Sequence, residues 1–336
     1  MILAGDIGGT KTRLAIIAAM EMEFRPIAEE NFESAEYGDL EEIISQFVAT
    51  QRLSVTYAGF GVAGPVKNGR SQTTNLPWVI DARRLARQLG IDQVVLINDL
   101  EAAAYGLAVL APNDLALLHP GAYNATGNRA LISPGTGLGE TGLYWDGIQH
   151  RPFASEGGHA DFAPRDALEM ELLRYLLERH DRVSYERVLS GPGLHHIYQF
   201  LRDSGRGEEP LWLTEELRVG DPPAVISKAG LAGQSTLCEQ ALNRFVSILG
   251  AEAGNLALKF MATGGVYLGG GIPPKILKKL EGPHFIEAFM AKGRMRSLLE
   301  AVPIRVILDD GVSLLGAARC AMMWARPIEP AAKEAR

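Results

Sequence analysis

The run Gly5-Asp6-Ile7-Gly8-Gly9-Thr10 lies between two apolar stretches, Met1-Ile2-Leu3-Ala4 and Leu14-Ala15-Ile16-Ile17. Apolar runs on either side of a glycine pair predict strand, tight turn and strand over residues 1–19. A carboxylate, two glycines and a hydroxyl in such a turn suit it to nucleotide phosphates. The glycines let backbone N–H groups approach an anion, and Asp6 can order a magnesium ion through water. A second turn of the same kind follows far downstream, Ser133-Pro134-Gly135-Thr136-Gly137-Leu138-Gly139. Together they predict two phosphate-binding hairpins facing each other across a cleft. Either turn alone reads equally well as an ordinary hairpin.

Two commoner phosphate motifs do not fit. A Walker loop needs Gly immediately before its Lys, and Thr10 precedes Lys11 here. Gly137-Leu138-Gly139-Glu140-Thr141-Gly142 matches G-x-G-x-x-G, which signals a dinucleotide site only where it opens a helix. Here it leads into Leu143-Tyr144-Trp145 and then Asp146-Gly147, a hairpin signal.

The 336 residues predict two domains. A 47% hydrophobic and 22% charged composition is that of an ordinary soluble globular protein. With 33 basic against 40 acidic residues the formal net charge is −7. That excludes the broad basic footprint of a nucleic-acid or anionic-membrane binder. The two cysteines, Cys238 and Cys320, form no C-x-x-C pattern. A cytoplasmic protein without disulfides or a zinc ribbon is expected. The N-terminus carries no basic leader pattern, and no run approaches a membrane span.

Strand-like and helical segments alternate along the chain. Leu40, Ile43, Ile44 and Phe47 recur at helical spacing and predict a helix over 40–50. Strand 55–62 follows, then a helix over 80–89 capped by Asp81 and stopped by Gly90. Strand 94–97 ends in Asn98-Asp99 before an Ala-rich helix over 100–110. Pro112 and the polar segment 121–128 mark a domain transition. The second half predicts strand 130–132, helices 167–180 and 237–260, strands 266–268 and 304–308, and a last helix 311–324. Gly250 and Gly254 inside the long helix predict close packing there, at a cost in helix propensity. Strands alternating with helices in both halves predict an α/β protein of two similar lobes.

Together the motifs resemble the bacterial glucokinase family, within the actin-like ATPase and sugar kinase superfamily. The resemblance rests on 5–10, Thr74-Asn75-Leu76-Pro77-Trp78, Ile97-Asn98-Asp99, 135–139 and Glu156-Gly157-Gly158-His159-Ala160-Asp161-Phe162. It continues through 186–194, Gly269-Gly270-Gly271-Ile272 and 314–318, in that order along nearly the whole chain. It implies a two-lobed actin-like (ribonuclease H-like) sugar kinase fold. The expected small lobe is 1–109 plus 311–336 and the large lobe 110–310, each built on a mixed five-stranded sheet flanked by helices. The active-site cleft would lie between them and close to exclude water.

The resemblance also implies a reaction: transfer of the γ-phosphoryl of ATP to O6 of D-glucose, with Mg²⁺, by a cytoplasmic homodimer. Such transfer needs a base at the hydroxyl, a metal on the phosphates, and positioning. Asp99 matches the base. Asn98, Asp99, Glu156, His159, Glu186 and the weaker candidate Asn75 match the sugar contacts. Asp6, Gly8, Gly9, Thr10, Gly135, Thr136, Gly137, Gly269, Gly270, Gly271 and Gly311 match the nucleotide side, with Asp6 on the metal through water. From the residues alone, Asp99 could equally cap a helix. The two glutamates could be surface groups, His159 a core histidine or metal ligand, and 269–271 a plain turn. Relatives that bind zinc through a matching histidine carry a cysteine cluster beside it. No cysteine precedes residue 233 here, so His159 is assigned to sugar.

Lys11, Pro134 and Glu140 depart from the family pattern, and the segments 123–128 and 205–223 have no assigned role. Two rival readings stay open. One is a kinase for another hexose or another donor such as polyphosphate. The other is a non-catalytic sugar-sensing regulator on the same fold.

Overall fold

The computed structural model describes residues 1–20, 23–51, 53–73 and 76–325. Its chain divides into two compact units, Met1–Ala111 with Gly311–Arg336, and Pro112–Asp310.

The first unit begins with β1 (Ile2–Ile7), β2 (Lys11–Met20), β3 (Glu23–Glu33) and β4 (Tyr57–Val62). It continues with β5 (Val66–Lys67), β6 (Arg70–Gln72), β7 (Val79–Asp81) and β8 (Val94–Asn98). A five-stranded sheet has the order β3-β2-β1-β4-β8, and β5-β6-β7 form a small separate one. The hairpin pairs β1–β2 and β2–β3 are antiparallel, whereas β1–β4 and β4–β8 are parallel. Alternation along the strands divides the core between two faces. Leu3, Ile7, Leu14 and Ile16 pack with Ile43, Ile44 and Phe47 of the helix Leu40–Gln51. Ile2, Ala4, Ala15 and Ile17 pack with Leu314, Ala318 and Ala321 of the helix Val312–Ala325. Burial on both faces explains why β1 and β2 read as nearly continuous apolar runs.

Asp81 accepts from the backbone N–H groups of Arg83 and Arg84 and so starts the helix Ala82–Leu89, two residues later than the pattern suggests. Gly90, at φ 66°, ends it. Strand β3 has no apolar signature because most of its side chains face solvent along the sheet edge. Its Pro26 sits opposite Ile17 beside a register shift, where a missing N–H is tolerated.

The second unit holds β9 (Leu115–His119), β10 (Arg129–Pro134), β11 (Leu138–Trp145), β12 (His150–Phe153), β13 (Gly265–Leu268) and β14 (Ile304–Ile307). Their order, β12-β11-β10-β13-β14-β9, makes six strands rather than the expected five. The additional edge is β9, within the stretch read as a domain transition. It pairs antiparallel with β14, and the Leu308 N–H donates to Asp114 O at 2.8 Å. Half-exposed leucines and short length hide this strand in the sequence. Like the first sheet, this one carries a glycine-turned hairpin (β10–β11) continued by parallel strands (β10–β13–β14).

The helix Thr236–Lys259 crosses this unit, started by Ser235 accepting from the Cys238 N–H. Phe245, Leu249 and Leu256 pack with Ile132, Val266 and Leu268 of the sheet. A Cβ on Gly250 would collide with the Phe285 carbonyl, so the helix Pro283–Met290 lies directly against its backbone. The segment 205–223 contributes the helix Leu211–Val219 and the start of Pro222–Leu231. Among the described residues no helix is long and apolar enough to cross a membrane.

Candidate active site

In the first unit the turn between β1 and β2 is closed by Gly8 N–H donating to Lys11 O at 2.9 Å. Ser34 holds it from behind. Its hydroxyl donates to Gly8 O at 3.0 Å and meets Thr12 Oγ1 at 3.0 Å, and its N–H donates to Thr10 O at 2.8 Å. Thr10 is exposed at the tip. Lys11 is exposed and pairs with Glu33 at 3.7 Å, which makes it a solvated charge.

Asp6 lies near the end of β1, opposite Arg13. Burial, then the negative charge of Asp99, push its carboxyl up to about 6, against the pull of Arg13. The Asp6 and Asp99 carboxylates therefore feel one another beside the first glycine turn. The helix Asp99–Gly106 begins at the end of β8. Asn98, not Asp99, is its N-cap, accepting from Leu100 N–H at 3.0 Å and Glu101 N–H at 3.4 Å. Its amide donates to Gly64 O at 3.2 Å. Asp99 Oδ1 accepts from the Leu100 N–H at 2.9 Å, which sets the carboxylate at the helix start. Both acidic residues stand at the carboxyl ends of parallel strands, where open α/β sheets bind ligands.

In the second unit the turn between β10 and β11 is closed by Gly135 N–H donating to Gly137 O at 2.8 Å, leaving Thr136 exposed. Three other segments meet it. Gly191 N–H donates to Gly135 O at 2.8 Å. The glycine run after β13 docks beside it, with Gly269 N–H to Ile132 O at 2.9 Å and Ile272 N–H to Pro134 O at 3.3 Å. Glu186 reaches it by accepting from Leu138 N–H at 3.0 Å. Gly135, Thr136, Gly137, Gly269, Gly270, Gly271 and Glu186 thus gather around one turn.

His159 links this group to Glu156. Its Nδ1 is 3.9 Å from Glu186 Oε1 and its Nε2 is 4.0 Å from Glu156 Oε2. The side chains of Glu156, His159 and Glu186 are 77%, 55% and 33% exposed, so their polar atoms are open to a ligand. Arg182 holds the turn, donating to His159 O at 2.6 Å and pairing with Asp161 at 2.8 Å. Such a set of acceptors and an imidazole can bind several hydroxyls in fixed directions.

Gly311 stands at the junction where the chain re-enters the first unit, and its carbonyl accepts from Leu315 N–H at 2.9 Å. Asn75 lies outside the described residues.

The sequence left Glu140 unplaced, and the structure puts it in the interior. Neither carboxylate oxygen has a hydrogen-bond partner, and the residue is 1% exposed. Burial, then the neighbouring Glu252, push it up to about 8, against Lys259. Its Oε2 occupies the space a Cβ on Gly157 would need, directly beneath the 156–159 turn. Both faces of β11 are covered at this point, for Thr141 and Leu143 are buried along with Glu140.

A family model described as Glucokinase matches residues 3–323. The chain belongs to the glucokinase family. Its similarity to the glucokinase of Nostoc sp. strain PCC 7120 is 45% identity over 337 aligned positions, covering 96% of this chain and 98% of the relative. The glucokinase of Caulobacter sp. strain K31 is 36% identical, covering 94% and 93%. Among solved structures, glucokinase from an Antarctic psychrotroph is similar with TM-score 0.84 and 33% identity, covering 96% of this chain and 98% of that one. A ROK family glucokinase from Streptomyces griseus, solved with glucose and AMPPNP, shares the fold at TM-score 0.63 and 22% identity. The chain is accordingly a hexose kinase, and the non-catalytic sensor reading falls away.

Proposed function

We propose that this glucokinase-family chain transfers the γ-phosphoryl of ATP to O6 of D-glucose. The observation that carries the proposal is the convergence of Glu156, His159 and Glu186 on the second glycine turn, in a chain that the family model matches almost end to end. On this reading residues of both units act on one glucose and one ATP, the two units being lobes of the actin-like type.

Asp99 accepts the proton of the sugar 6-hydroxyl as that oxygen attacks phosphorus. The Leu100 N–H donates to one carboxylate oxygen and so orients the group at the helix start. Asn98 keeps one amide N–H for a sugar hydroxyl after its own capping and anchoring bonds. Glu156, His159 and Glu186 orient the ring, and Asn75 belongs with them in the sequence motif. The backbone N–H groups of Gly8, Gly9, Thr10, Gly135, Thr136 and Gly137 serve the phosphates, and Gly269, Gly270, Gly271 and Gly311 serve the nucleoside side.

The residues fit a magnesium ion. Asp6 is a carboxylate under repulsion from Asp99, which a divalent cation relieves. Among the described residues no three His, Cys, Asp or Glu side chains gather into a cage. That suits Mg²⁺, which commonly takes one or two carboxylates, phosphate oxygens and water. Bound there through water to Asp6, it would neutralise phosphate charge. Cytoplasmic location and a homodimer complete the proposal by family resemblance.

The test is formation of glucose 6-phosphate from glucose and Mg-ATP by the full chain. A panel of hexoses and donors, polyphosphate included, separates this reaction from its rivals. Turnover with ATP and preference for glucose support it. Preference for a different sugar or donor replaces it.

A further inference from the structure

Strands β10, β13 and β14 are parallel, so equivalent ends of all three gather on one side of the sheet. Their carboxyl-end side carries the two glycine segments of the candidate site. Toward their amino ends lies a different feature, a pocket of about 400 Å³ bordered by Tyr123, Arg129, Gly264, Tyr267, Pro303 and Arg305. Its size falls within the range of small-molecule sites.

The pocket is positive in an acidic protein. No Asp or Glu lines it, although the chain carries a net charge of −7. Among the described residues neither Arg129 nor Arg305 forms an ion pair. The Arg129 Nε is buried without a hydrogen-bond partner, and its guanidinium lies 5.5 Å from the centre of the Tyr267 ring. Tyr267 stands beside Arg305 in the strand register, on β13, which lies between the strands that carry Arg129 and Arg305. A partly desolvated guanidinium without a counter-charge is costly, and an anion in the pocket would offset that cost.

The rim is built in advance. Ala122 N–H donates to Ala301 O at 2.9 Å, Thr263 Oγ1 to Thr126 O at 2.6 Å, and Asn128 Nδ2 to Phe260 O at 2.8 Å. These bonds pin the polar segment that the kinase reading leaves without a role. They hold Tyr123, fully exposed, at the pocket edge.

We propose that this pocket binds a small phosphomonoester, with its phosphate between Arg129 and Arg305 and its organic part against Tyr123. Two planar guanidiniums on separate strands suit a phosphate better than a carboxylate. A phosphate offers three acceptor oxygens and nearly two negative charges, enough for both forks at once. The exposed phenol ring supplies a face for a sugar or similar body.

The test is calorimetric titration of the full chain, first saturated with glucose and a non-hydrolysable ATP analogue so that the kinase site is filled. Glucose 6-phosphate and inorganic phosphate are the probes. Expected is one saturable site per chain, weakened about tenfold or more in Arg305→Met and in Arg129→Met, in line with loss of a charge-assisted contact. Glucose phosphorylation without added effector stays intact in Arg305→Met, which shows that the variant is folded. Inorganic phosphate binding as tightly as glucose 6-phosphate overturns the role of Tyr123. Equal affinity in wild type and both variants, or no binding to the saturated wild type, overturns the site. Because the readout is arginine-dependent binding, failure of the glucose kinase reading leaves the test valid.

Discussion

The backbone N–H of Leu138 donates to Glu186 Oε2 at 3.0 Å, tying a proposed sugar-binding carboxylate to the turn proposed to hold phosphate. A Cβ on the adjacent Gly137 would stand 2.6 Å from that same oxygen. Gly137→Ala therefore displaces the carboxylate rather than the backbone, because the obstructing atom ends a flexible side chain. The expected result is a rise of about tenfold in KM for glucose, the size of one lost polar contact. The melting temperature should move little. Steady-state kinetics beside a thermal melt check this, and an unchanged KM would contradict the placement of Glu186 at the sugar.

Much of this arrangement is legible in the sequence, for identifiable reasons. Strands β1, β2, β10 and β11 announce themselves because their apolar runs are interrupted by glycine turns. Asp81 and Gly90 bound their helix through local capping chemistry, which needs no tertiary information. Strand β3 and strand β9 are not legible, since each lies at a sheet edge with much of its surface in solvent. Within the site, sequence spacing brings out each motif separately. The approach of His159 to both Glu156 and Glu186 depends on how the chain returns from 159 to 186, through an isolated bridge between Asp161 and Ser184. No local pattern encodes that return. Glu140 is the clearest omission: the motif around it leaves its direction open, and what buries it is the covering of both faces of β11, which only the tertiary fold supplies.

Asp6 should trade stability for function. Its folded-state value of about 6 lies above the ordinary 3.8, so the native state prefers the neutral acid. The resulting penalty is absent near pH 4, grows as pH rises, and is complete above about pH 6. Asp6→Asn should thus match wild type in thermal stability at pH 4 and exceed it at pH 7.5 by roughly 1–3 kcal/mol. The same variant should lose Mg-ATP turnover. In wild type, kcat/KM for Mg-ATP should fall below about pH 6 as Asp6 takes up its proton. Melts at the two pH values and a pH–rate profile decide it. A variant less stable than wild type at pH 7.5 would contradict the burial argument.

Glu140 shows the same sign at higher pH. Its folded-state value of about 8 exceeds the ordinary 4.5, so unfolding stability should decline from pH 4.5 to 8 and level off above. Glu252 beside it already carries Lys259 at 3.3 Å and Asn255 at 2.6 Å, so the pair cannot readily relieve the second charge. Glu140→Gln removes that charge and keeps the shape. Its stability gain should be near zero at pH 5 and on the order of 2–4 kcal/mol at pH 8, after an amide left without partners is allowed for. Because Glu140 underlies Gly157, the wild-type KM for glucose should also rise above pH 8, and the variant's should not. Denaturant unfolding and KM measured from pH 5 to 9 test both statements. A pH-independent difference between the two proteins would exclude titration of this carboxyl.

Asp99→Asn separates binding from chemistry. The asparagine keeps an oxygen to accept the Leu100 N–H, and Asn98 remains the helix cap. On the proposed mechanism, what disappears is the capacity to take a proton from the 6-hydroxyl. General-base catalysis is commonly worth about 10²–10⁴ in rate. The expected variant has kcat lower by roughly that factor, with the glucose dissociation constant within about threefold of wild type, because an amide still offers hydrogen bonds to the hydroxyl. The neighbouring Asp6 also loses a repulsive charge, so the acid limb of any residual activity should shift below pH 6. Wild-type turnover in this variant would remove Asp99 from the mechanism. Loss of glucose binding with unchanged kcat would make it a sugar ligand instead of a base.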